Sequence, residues 1–102
     1  MIKIIRSHEM KFKKKDGLEL ADLIPEIEEP KIEKLKAINC KERKTSGEYN
    51  ILYYVLAGGL IVKFGKEPMT AGPDDVVFIG PGEYYDIEGS FTAIRIRWKG
   101  SK

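Results

Sequence analysis

The chain has 102 residues, which suits one domain with one hydrophobic core, and a chain this short gains stability by pairing with a second copy. At 42% hydrophobic and 33% charged it is too apolar for a disordered polymer. Its 18 Lys+Arg against 16 Asp+Glu leave a formal charge of +2, with the lysines spread along the chain. That pattern, without any base-reading motif, argues against nucleic acid as a partner. Cys40 is the lone cysteine, so no internal disulfide forms. No apolar run approaches the ~20 residues of a membrane span. The opening MIKIIRSHEM lacks the apolar stretch and cleavage site of a signal peptide, so the expected location is the cytoplasm, with no membrane partner.

In chain order, Ile2 to Arg6 reads as a strand. The densest basic stretch, Lys11 to Lys15 around Phe12, reads as a solvated turn or arm. Leu18 to Ile24 reads as a helical turn, and Pro25 and Pro30 bracket an acidic connector. Ile32 to Cys40 reads as a strand with Leu35, Ala37 and Asn39 on one face. No window sustains the apolar spacing of a longer helix.

The composition changes from residue 50 onward, where aromatic residues and glycines concentrate. Ile51 to Leu56 and Leu60 to Phe64 flank Ala57-Gly58-Gly59 and read as a hairpin, with a second turn at Gly65-Lys66-Glu67. Pro73-Asp74-Asp75 leads into Val76 to Ile79, and Gly80-Pro81-Gly82 closes that run. Phe91 to Trp98 ends the chain, with Ile94, Ile96 and Trp98 alternating against Arg95 and Arg97. Short strands separated by Gly and Pro predict an all-β barrel or sandwich.

Tyr54-Val55-Leu56-Ala57-Gly58, then Leu60-Ile61-Val62, then the segment from Pro73 to Gly82 resemble the core of the cupin superfamily in order and spacing. The resemblance spans about residues 44–98, and within the superfamily it is similar to the ethanolamine-utilisation cupin-like group. It implies a double-stranded β-helix, or jelly roll, as one domain over 1–102, with 1–43 supplying N-terminal strands and a connector. Asp74 stands where the family pattern has Gly, a position of positive φ that Asp tolerates better than most residues. The resemblance also implies strand-packed homodimers.

Metal-binding cupins hold their ion with His and Glu from two motifs. Aligned on Gly58, the Glu position falls on Ile51 and the His pair falls on Lys44 and Ser46, or on Thr45 and Gly47. The third His position falls on Tyr85, and His8, the one histidine, lies far from both motifs. The expectation is therefore no metal and no cofactor.

In the register that the resemblance implies, Ile51, Tyr53, Val55, Glu83, Tyr85 and Ile87 face the interior, an apolar pocket with polar tips. An alternative is that the tyrosines simply fill the barrel. Arg95 and Arg97 share a face of the last strand. Turned inward they would clamp a carboxylate or phosphate, leaving the apolar face for a second subunit. Desolvating two guanidinium groups in a small barrel is costly, which favours the outward orientation. The candidate ligand-binding residues are thus Tyr53, Glu83, Tyr85, Arg95 and Arg97. The function expected is non-catalytic binding of a small polar or anionic metabolite. Alternatives are a metal-independent isomerase or lyase using Tyr85 with Glu83, and a pathway scaffold.

Overall fold

The computed structural model describes residues 2–15, 17–65 and 67–99. Among these residues a 3₁₀ turn at Ser7–Glu9 is followed by eight strands. They are β1 (Phe12–Lys15), β2 (Leu18–Asp22), β3 (Lys31–Thr45), β4 (Tyr49–Gly58), β5 (Leu60–Phe64), β6 (Glu67–Ala71), β7 (Val76–Ile79) and β8 (Tyr84–Lys99). All pairings are antiparallel, and the all-β jelly-roll barrel expected from the sequence is what the chain builds.

Two long strands make the barrel. β3 and β8 pair along nearly their whole lengths, from Lys31 opposite Arg97 to Thr45 opposite Tyr84. Their outer portions join the sheet β1-β2-β3-β8-β4-β7, while the portion of β8 around Asp86 to Glu88 instead pairs with β5, which carries β6. The bend between the two halves coincides with a register shift between Ala37 and Cys40. There Asn39 takes φ +50° and its amide donates to Ser90 Oγ at 2.9 Å. Gly89, at φ +106°, passes so close to the Gly59 carbonyl oxygen that an added Cβ would lie 2.6 Å from it.

Several segments depart from the sequence-based expectation. Ile2 to Arg6 pairs with no strand; the outer place on that side of the sheet belongs to β1. Leu18 to Asp22 is strand rather than helical turn, because Leu18 and Leu20 lie on the inner face opposite Ala37 and Leu35. Gly58-Gly59 is not a hairpin turn: β4 pairs with β7 and β8, whereas β5 pairs with β6 and β8. The glycines form a corner carrying the chain from one sheet to the other, against Ser90. Asn39 is exposed rather than aligned with Leu35 and Ala37, since the bulge reverses which residues face inward. The second turn does join β5 to β6, although its Lys66 lies outside the described residues. Asp74 takes φ +71°, as its place in the resemblance requires.

The core holds Leu35, Ala37, Cys40, Ile51, Tyr53, Val55, Leu60, Val62, Tyr85, Ile87, Phe91 and Ala93, drawn from both sheets. No helix among the described residues is long and apolar enough to cross a membrane.

Candidate functional site

Cross-strand partners share a face, so the register defines what the barrel encloses. One inward row runs Glu33, Arg95, Tyr53, Val77, and its neighbour runs Lys31, Arg97, Ile51, Ile79. The arginine face of β8 therefore points inward, contrary to the orientation that desolvation cost alone favours. Glu33 removes that cost. Its Oε1 accepts from Arg95 Nε at 2.9 Å and Nη2 at 2.7 Å, and its Oε2 accepts from Arg97 Nη2 at 3.4 Å. Arg95 and Glu33 are 6% and 3% exposed, whereas the Arg97 side chain is 32% exposed. Burial by itself would lower the Arg95 pKa, but Tyr53 and Glu33 beside it outweigh burial and raise it.

Across the barrel, the Tyr53 hydroxyl meets the Tyr85 hydroxyl at 3.0 Å, with the rings edge to face. Burial, and then the neighbouring Tyr53, push the Tyr85 phenol well above the ordinary tyrosine range. This phenol gives up a proton reluctantly. Further along the inner face Lys44 Nζ lies 2.8 Å from Glu42 Oε1, and Lys44 pairs with Tyr85 across the strands. Tyr49 lies under the exposed end of the cluster, its ring centroid 5.8 Å from Arg97 Cζ.

Glu83 is half-buried and lines a groove of about 230 Å³ with Val62, Phe64, Met69, Val77, Ile79 and Gly80. Val77 and Ile79 belong to the two inward rows. The structure brings Tyr53, Tyr85, Arg95 and Arg97 together, whereas among the described residues the Glu83 side chain makes no hydrogen bond to any of them.

The positions that hold metal in other members of the resembled superfamily are committed elsewhere. Ile51 is buried and apolar, Tyr85 is bonded to Tyr53, and Lys44 is paired with Glu42. Ser46 Oγ donates to the Gly80 carbonyl at 2.8 Å and accepts from the Glu83 amide at 2.9 Å, tying the end of β3 to the turn before β8. These residues do not fit a divalent ion. Among the described residues no three His, Cys, Asp or Glu side chains converge as a metal group would require.

Glu33 and Glu42 were not among the residues singled out from the sequence, and Lys44 and Ser46 were singled out only as positions vacated by metal ligands. Glu33 carries a readable signal, since it stands two residues before Leu35 and so shares its face. Glu42 carries none, because the bulge after Ala37 inverts the alternation.

No family model matches the chain, and no curated protein matches it in sequence. Solved structures do. A putative ethanolamine utilization protein Q from Salmonella typhimurium is 25% identical, with a TM-score of 0.82 over 98% of this chain and 88% of that one. The cupin domain of Cnp3 from Schizosaccharomyces pombe is 15% identical, with a TM-score of 0.78 over 91% and 71%. Streptomyces PAC13, determined with uridine, is 15% identical, with a TM-score of 0.79 over 100% and 86%. The chain has the cupin fold.

Proposed function

We propose that this cupin, a single-domain homodimer of the cytoplasm, binds a small anionic metabolite at the Arg97 end of its barrel, without a metal and without turning the ligand over. The observation that carries the reading is the sharing of one carboxylate, Glu33, by two guanidinium groups. Arg95 is satisfied and buried, which leaves Arg97 as a net positive charge at the rim beside the Tyr49 ring. A partly exposed fork over an aromatic face suits a carboxylate or phosphate attached to a planar or apolar body. The uridine bound to PAC13 shows that this fold accommodates a small polar metabolite elsewhere.

The buried tyrosine pair supports binding over turnover. Tyr85 already commits its hydroxyl to Tyr53, and among the described residues no side-chain hydrogen bond joins it to Glu83. The lone buried thiol of Cys40 suits a reducing compartment. The basic run at β1 occupies a sheet edge, where lysines discourage strand addition, and this supports a solvated role over contact with nucleic acid.

The test is calorimetry and thermal shift with uridine, nucleoside monophosphates, sugar phosphates and dicarboxylates, on the natural sequence and on Arg97→Gln. A ligand at a hundred times its Kd stabilises by about 2.7 kcal/mol, a readily visible shift. The anionic members should raise the melting temperature of the natural chain and not that of Arg97→Gln. No shift from any compound at millimolar concentration would overturn the reading.

A further inference from the structure

The barrel is open along one seam. Among the described residues β6 pairs with β5 and no other strand, and β7 with β4 and no other, so no ladder closes the wall between β6 and β7. Two grooves of about 230 and 400 Å³ lie there and share Val62, Met69, Val77 and Phe78 as lining, so they form one trough along β7. Its middle is apolar. Val62 and Met69 are cross-strand partners on one side, and Val77 and Ile79 are the inward residues of β7 on the other. Phe64 and Met69 are 44% and 59% exposed, so solvent reaches this wall.

Each end of the trough carries one carboxylate. Glu83 lines only the smaller groove, with Ile79 and Gly80, and Asp75 lines only the larger, with Thr70 and Val76. Among the described residues no Lys, Arg or His lines either groove. The Glu83 backbone is held by Ser46, which accepts from its amide and donates to its carbonyl, while among the described residues its carboxylate has no hydrogen-bond or ion-pair partner. Asp75 Oδ2 accepts from the Gly72 amide at 2.8 Å, which fixes the direction of that carboxylate. We propose that the seam between β6 and β7 binds a linear aliphatic diamine, one ammonium group at Glu83 and the other at Asp75, with the methylene chain laid on the apolar wall between them.

The chemistry at the ends and in the middle selects this class. A divalent metal ion needs several oxygens around one point, and these two carboxylates stand at opposite ends of an apolar trough. A monoamine leaves one of them unpaired, and a neutral chain leaves both. Burial of methylene groups against Val62, Met69 and Val77 supplies the drive, and the carboxylates choose the doubly charged molecule. The four residues of β7 extend over ~10 Å, a span that a two-carbon diamine does not bridge and a longer one does. The site takes a cation and is independent of the anion site proposed at Arg97, so the failure of either leaves the other standing.

Titration calorimetry of the full chain at low salt with spermidine, cadaverine, ethylenediamine, pentylamine and pentanediol tests the site. Spermidine and cadaverine should bind, pentylamine about fivefold more weakly, and ethylenediamine and pentanediol without measurable heat. Glu83→Gln and Asp75→Asn, each checked by its circular dichroism spectrum, should bring cadaverine down to the level of pentylamine. Glu19→Gln, on the outer face of β2, should leave every affinity as it was. Absence of heat from both long diamines at millimolar concentration overturns the proposal, and so does cadaverine binding no tighter than pentylamine. Folded Glu83→Gln and Asp75→Asn proteins that bind cadaverine as the natural chain does, or an equal loss in Glu19→Gln, show diffuse attraction to acidic surface and overturn it as well.

Discussion

The hydroxyl of Tyr53 on β4 lies 3.0 Å from the hydroxyl of Tyr85 on β8, a bond that crosses the barrel from one sheet to the other. Each ring is buried, at 0% and 3% exposure, so neither oxygen has bulk water as an alternative partner. Tyr85→Phe should therefore cost about 1–3 kcal/mol, the price of leaving a buried polar group unpaired. The double replacement by Phe should cost less than the sum of the single ones, because it removes both partners at once. Urea denaturation of the four proteins in a double-mutant cycle measures this coupling.

The same pair sets the alkaline limit. Burial first, and Tyr53 second, hold the folded-state Tyr85 pKa above its unfolded value of about 10. Above that pH the unfolded chain releases a proton that the folded chain keeps, so unfolding becomes easier. Stability from this group is complete below pH ~10 and falls by up to about 1.4 kcal/mol per pH unit above it. Stability measured between pH 9 and 11.5 should fall more steeply for the natural chain than for Tyr85→Phe, and parallel curves would rule this out.

Glu33 and Arg95 supply the most consequential buried charges. Removing only Glu33 strands a guanidinium that is 6% exposed, so Glu33→Ala should destabilise by about 3–5 kcal/mol. Replacing both residues by Met should restore much of that loss, since it removes both charges together. Chemical denaturation of Glu33→Ala, Glu33→Met and the double variant distinguishes this from a cavity effect, because Glu33→Met alone fills the space yet leaves Arg95 unpaired.

How much of this was legible from the sequence depends on where the strand alternation stays in phase. β4, β7 and the end of β8 were readable because Ile51, Tyr53 and Val55 alternate cleanly and Pro and Gly mark the ends of the runs. The resemblance to cupins then placed Tyr53 and Tyr85 in the barrel interior. The inner face of β3 was not readable past Ala37, where one extra residue shifts the inward set from Glu33, Leu35 and Ala37 to Cys40, Glu42 and Lys44. The direction of Arg95 could not be fixed from β8 alone, because alternation defines two faces without saying which is inside. That choice depends on Glu33, 62 residues away in sequence, which makes two inward arginines tolerable. Gly58-Gly59 misled for a related reason, since a glycine pair between strands serves a sheet-switching corner as well as a hairpin.

That corner carries the last prediction. At Gly58, φ is +80° and an added Cβ would lie 2.3 Å from the Ser90 carbonyl oxygen; at Gly89, φ is +106° and the clash is with the Gly59 carbonyl at 2.6 Å. Both obstacles are backbone, Ser90 in β8 and Gly59 in the corner between β4 and β5, so neither can swing aside. Gly82 shares a positive φ of +79° but has nothing within 4 Å of the added atom. Gly82→Ala should therefore show the conformational penalty alone, about 1–2 kcal/mol. Gly58→Ala and Gly89→Ala should each lose clearly more, through the displacement of β8 from the strand end that it crosses. Melting temperatures of the three variants give the ranking, and equal losses at all three would show that the close approach of the two sheets at this corner is not what requires glycine.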